Sequence, residues 1–170
     1  MKGPMKAIVL KILNDLDKHL NTHCDSAPHR QDFLTHISCF TDQTKANAIR
    51  LCSDKHMVMM EKVYEYPKTD KIAGSCCTAH GFKECVIQTV NDLCSAESGD
   101  YFNDMIAEVA EESVNMMCSD FVNLDQCKSK FSRWNELNAI LQSNDVSAMK
   151  KHHFKTVIPL MIKMIRETSK

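Results

Sequence analysis

The sequence predicts an all-α fold, a disulfide-stapled antiparallel bundle of six to seven helices. Three observations lead there. Glycine and proline number only four each, too few for a loop-rich or β-rich chain. Apolar residues recur at three- and four-residue steps along most of the chain, and no alternating strand pattern of useful length appears. Nine cysteines in 170 residues exceed the usage of an ordinary cytosolic domain and point to a secreted disulfide framework. The length suits one domain over 1–170, with 4–66 and 76–168 as the sub-bundles into which it would divide. A domain of this size buries roughly 70% of its unfolded surface.

The first helix is expected from about Pro4 to Thr22. Ala7, Ile8, Leu10, Leu13, Leu16 and Leu20 form its apolar stripe, and Pro4 suits a first helical turn. Asp25-Ser26-Ala27-Pro28 interrupts it. A second helix runs from about Pro28 to Phe40, with Phe33, Leu34, Ile37 and Phe40 apolar. Thr44 is placed to cap a third helix to about Tyr64, whose buried side is Ala48, Ile49, Leu51, Cys52, Met59, Met60 and Val63. Tyr66 to Ser75 reads as a connector, because Pro67, Thr69-Asp70 and Gly74-Ser75 favour turns. Further helices are expected over 79–96, 101–118 and 121–142, separated at Ser98-Gly99-Asp100 and capped by Asp120. A last helix runs from Val146 to about Thr168, kinked near Pro159.

The cysteines are Cys24, Cys39, Cys52, Cys76, Cys77, Cys85, Cys94, Cys118 and Cys127. Adjacent Cys76 and Cys77 do not readily bond to each other, so if oxidised they reach two different places. Nine helical positions advance about 13.5 Å, so Cys85 and Cys94 on one helix cannot pair. In an antiparallel hairpin the start of the 79–96 helix lies beside the end of the 101–118 helix. That geometry brings Cys76 and Cys77 near Cys118 and Cys127. Cys94, at the opposite end, draws its partner from Cys24, Cys39 or Cys52. An odd count leaves one thiol free or joined to a second chain, so a disulfide-linked homodimer is one expected partner.

Several functions lose support. A net charge of −1 argues against a nucleic-acid binder, and no stretch approaches a membrane span. No CxxC pair occurs, which removes zinc-ribbon and thioredoxin readings. The Gly-rich phosphate loop, the nucleophile elbow and the His-Glu-x-x-His motif are absent. Met1 to Met5 does not resemble a secretory signal, and the expectation is a mature chain behind an added start. No Asn-x-Ser/Thr sequon is present, so N-glycosylation is not expected.

No catalytic, cofactor-binding or metal-ligating residue is assigned. His19 and His23, four apart on one helix face beside Cys24, are compatible with a metal pair, but a polar helix end is the commoner meaning of such spacing. His152-His153 diverge on a helix, and His80 near Cys77 is sequence proximity only. Glu108, Glu111 and Glu112 read as a solvated helix face. Methionine is abundant, at 11, and fills irregular apolar space. Its sharper meaning is a cavity lined by Met59, Met60, Met105, Met117 and Met161 that admits a small apolar ligand.

The run Cys76-Cys77-Thr78-Ala79-His80-Gly81-Phe82-Lys83-Glu84-Cys85, then Cys94, then Met116-Met117-Cys118-Ser119-Asp120-Phe121, resembles small secreted, helical, cysteine-rich proteins of arthropods, in particular the insect haemolymph glycoprotein family. The likeness covers about residues 76–121 and implies secretion and fold rather than an activity. Cys76, Cys85 and Cys94 are also spaced similarly to the last three cysteines of insect odorant-binding proteins, though Cys39 and Cys52 do not supply the upstream pair of that family. The expected function is a secreted, non-enzymatic binding protein carrying a small apolar ligand. The alternatives are an extracellular structural or assembly protein of matrix, silk or egg joined through the odd cysteine, and a secreted toxin or effector that binds another protein.

Overall fold

The structure is a computed structural model that describes residues 4–154 with Thr156, Pro159, Leu160 and Lys163, and side chains from Leu10 onward. Met161, the side chains of Ala7 and Ile8, and the helix expected to continue to Thr168 lie outside the described residues. The helices are α1 (Pro4–Asp25), α2 (Ala27–Ile37), α3 (Gln43–Tyr64), α4 (Lys68–Leu93), α5 (Ala96–Ile106), α6 (Glu112–Met117), α7 (Leu124–Lys130), α8 (Trp134–Leu141) and α9 (Val146–Met149). A 3₁₀ turn spans Ser38–Thr41, and a π-helical turn spans Ala107–Glu111. No strand occurs among the described residues. The fold is all-α and disulfide-rich, as the residue pattern predicts.

Several boundaries differ from expectation for local reasons. The connector over Tyr66 to Ser75 shrinks to Glu65-Tyr66-Pro67, since α4 begins at Lys68 and carries Gly74-Ser75 inside it. Gly74 is needed there for space. A Cβ on it would lie 2.8 Å from Val63 Cγ2, so α3 and α4 approach closely at that point. Ser98-Gly99-Asp100 is helix, not turn: Ser95 caps α5 by accepting the Ser98 N–H. Asp42, rather than Thr44, caps α3, its carboxylate accepting from Thr44 N at 2.7 Å and Lys45 N at 3.2 Å. Those two N–H groups hold the Asp42 carboxyl below the usual carboxylate range. Asn123 caps α7 in place of Asp120, and Phe131, in an extended conformation, ends it before α8. The chain after α9 leaves the helix, and the Glu61 carboxylate accepts from the backbone N–H of His153 and Phe154.

The chain forms two compact units, 1–47 with 87–116 and 48–86 with 117–170. Each unit takes residues from both sides of the Glu65–Pro67 link, because α3 and α4 contribute to both. In the second unit α3 and α4 run antiparallel. Val63 faces Gly74, the Thr78 hydroxyl lies 2.9 Å from Met60 Sδ, the His56 ring stacks on Phe82 at 4.9 Å, and Cys52 bonds Cys85. Around this hairpin Met59, Met60, Val63, Tyr66, Cys77, Cys127, Phe131, Trp134, Leu137, Leu141 and Leu160 make a buried core. Lys55 reaches into it and donates to the Leu141 carbonyl at 2.7 Å; burial pushes its pKa down.

Four disulfides join Cys39 to Cys94, Cys52 to Cys85, Cys76 to Cys118, and Cys77 to Cys127. The adjacent pair Cys76 and Cys77 therefore staples α4 to two further segments, at the end where helix arithmetic places Cys118 and Cys127. Cys94 takes Cys39 from its three candidates. Cys24 is the free thiol, and it is exposed.

Candidate functional site

The site lies in the first unit, and the π-helical turn is central to it. On α1, positions 19 and 23 share a face, so their rings meet, with centroids 4.0 Å apart and planes tilted by 40°. A π turn adds a residue to one helical turn and re-aims the side chains there; such turns recur at functional sites. Here it carries Glu108, whose Oε2 lies 2.8 Å from His19 Nδ1 and 3.7 Å from His23 Nε2. The His19 bond, aided by the nearby His23, holds the Glu108 carboxyl below the usual carboxylate range. His29 of α2 places its ring 5.4 Å from His23.

Around these groups is a cleft of about 670 Å³. Its lining includes five carboxylates (Asp15, Asp32, Asp104, Glu108, Glu112), two lysines (Lys11, Lys18), three histidines and Tyr101. Carboxylates outnumber lysines five to two in this lining. Lys11 is held at one edge, 2.8 Å from Glu112 and 3.0 Å from Asp15. Tyr101 is fixed by stacking on His36 at 4.6 Å, and His36 Nδ1 sits 3.2 Å from Ser98 Oγ. Burial, with Asp32 and Glu108 nearby, raises the Tyr101 pKa. Two polar atoms at the cleft, Tyr101 OH and His23 Nδ1, are buried with no hydrogen-bond partner among the described residues.

The expected residues distribute unevenly about this site. Of the five cavity methionines, Met105 lines the cleft. Met59 and Met60 are packed in the core of the second unit, Met117 is half-buried, and Met161 lies outside the described residues. His19 and His23 are brought together, and they acquire a carboxylate that the sequence reading assigned to a solvated face. Glu108 is both: 61% of its side chain is exposed, yet it bridges to α1. His29 and Tyr101 carry no spacing signal, since they come from other helices. His152 and His153 are each beside a carboxylate, Asp54 at 3.2 Å and Glu61 at 3.3 Å. His80 bonds the Phe121 carbonyl through Nε2 at 2.7 Å.

No helix among the described residues is long and apolar enough to cross a membrane. The fold and the cleft define a helical, disulfide-stapled protein with a polar, histidine-bearing site. Comparison with protein-family models, curated proteins and solved structures finds no match.

Proposed function

We propose that this is a secreted, non-enzymatic binding protein whose ligand occupies the cleft of the first unit. The cleft is the observation that carries the reading: about 670 Å³ is a volume suited to a small molecule. Its excess of carboxylates, with unpaired Tyr101 OH and His23 Nδ1, favours a small polar or cationic ligand over the apolar one the methionines suggest. Four disulfides support an oxidising, extracellular setting, as does the resemblance to haemolymph glycoproteins.

The test is native mass spectrometry of protein made in an oxidising secretory host. The expected result is a small polar adduct that is released on denaturation and lost when Thr22→Trp fills the cleft. A co-purified lipid indifferent to Thr22→Trp would overturn the reading in favour of an apolar carrier site. A second reading, an extracellular assembly protein, has one observation of its own. Leu13, Leu16 and Leu20 are exposed on α1, and the free, exposed Cys24 continues their stripe at helical spacing. A disulfide dimer on a non-reducing gel, abolished by Cys24→Ser, supports it; a monomer with a free thiol counts against it.

A further inference from the structure

We propose that His19, His23 and Glu108 bind a divalent transition-metal ion of the zinc class. The proposal rests on reading the cleft as a ligand site and names what its floor would hold.

Two imidazoles four residues apart on one helix, completed by a carboxylate from another element, form a donor set suited to zinc. All three donor groups can place a ligand atom within 4.8 Å of one another. A tetrahedral ion with bonds of about 2.0–2.2 Å needs donors about 3.4 Å apart. The distances of 2.8 and 3.7 Å from Glu108 Oε2 to the two rings bracket that spacing. The three donor atoms are therefore close to the spacing that one ion requires.

A plain ion pair accounts for less. His19 and Glu108 satisfy each other, but His23 does not share in the bond. Its Nε2 lies 3.7 Å from the Glu108 oxygen, beyond hydrogen-bonding length. A cation shared by the three groups gives His23 Nε2 the bond that the 3.7 Å gap to Glu108 withholds. Three protein donors leave a fourth position for a water or a further donor, and His29 and Tyr101 line the same cleft. Two nitrogens and one carboxylate favour zinc, copper or nickel over calcium and magnesium, which prefer an all-oxygen shell.

Isothermal titration calorimetry with Zn²⁺ tests this on the full, disulfide-intact chain after chelator treatment and desalting. A Cys24→Ser background prevents the exposed thiol beside His23 from acting as a ligand. The expected result is one zinc per chain and no heat from Mg²⁺ or Ca²⁺. His23→Gln and Glu108→Gln should each weaken zinc at least tenfold, and His153→Gln in the second unit should leave it unchanged. Absence of zinc binding, or affinity indifferent to His23→Gln and Glu108→Gln, overturns the proposal. So does loss of zinc in Cys24→Ser alone, which would assign the ion to the thiol. Should a variant fail to fold, the Cys24→Ser parent decides. Zinc must then shift the ring NMR signals of His19 and His23 and not those of His152 and His153; the reverse overturns the site. Failure of zinc with a small-molecule adduct still lost in Thr22→Trp leaves the cleft as a binding site, whereas failure of both removes it.

Discussion

Acid should weaken this fold through one histidine that packing keeps neutral. His56 lies on α3, partly buried, with its ring stacked on Phe82 of α4 at 4.9 Å and 20°. Burial lowers its pKa from 6.5 to about 4. The folded chain therefore resists protonation across a window in which the unfolded chain accepts it. Between those two values the unfolded state binds more protons, so stability rises with pH. The contribution of neutral His56 is complete above the unfolded value and is lost as pH falls towards the folded one. At 1.36 kcal/mol per pKa unit, a shift of about 2.5 units corresponds to a loss of at most about 3 kcal/mol. The assay is urea unfolding, followed by circular dichroism, at about pH 7 and about pH 4.5. Wild type is compared with His56→Phe, which keeps a ring against Phe82 and removes the titration. Carboxylates act in both proteins and cancel in the difference. Wild type should lose about 2–3 kcal/mol more than the variant between the two conditions. Equal losses would refute the claim that His56 is held neutral by burial.

Two further outcomes follow from packing. Gly74→Ala places a Cβ 2.8 Å from Val63 Cγ2 and 3.0 Å from Cγ1, and a β-branched side chain in a helix has no alternative rotamer to escape into. Overpacking of about 1–3 kcal/mol outweighs a helix-propensity gain of about 1 kcal/mol, so the melting temperature should fall; a rise would disprove the close approach. Under mild reductant Cys39–Cys94 should open first, because both residues are partly exposed whereas Cys76, Cys77, Cys118 and Cys127 are at most 1% exposed. Alkylation mapping reads the order, and removing this link by Cys39→Ser with Cys94→Ser should cost about 4 kcal/mol for a loop of 55 residues.

Much of the fold was legible because its determinants are local or arithmetical. The three- and four-residue apolar steps mark α1 and α3, and the Cys76-Cys77 adjacency forces two separate staples. Helical rise forbids Cys85–Cys94 and sends Cys76 and Cys77 towards Cys118 and Cys127. What misled was turn chemistry judged without packing. Gly74-Ser75 and Ser98-Gly99-Asp100 carry the composition of turns, yet both lie within helices. At Gly74 the missing side chain makes room for Val63. At Gly99 it makes room for Asn91, whose Oδ1 would lie 1.7 Å from a Cβ.

The candidate site was half legible. His19 and His23 declare their shared face by spacing alone. Glu108 does not, since its 89-residue separation from His19 is bridged only when the π turn meets α1. The sequence by itself determined the helical class, the use of cysteine as staple and the oddness of one thiol, because composition, periodicity and parity need no partner. Only the tertiary structure decided that the odd thiol is Cys24, that Met59 and Met60 fill a core, and that two histidines and a glutamate converge in a polar cleft. Convergence depends on distances between segments remote in the chain, and those distances are set by packing rather than by any local pattern.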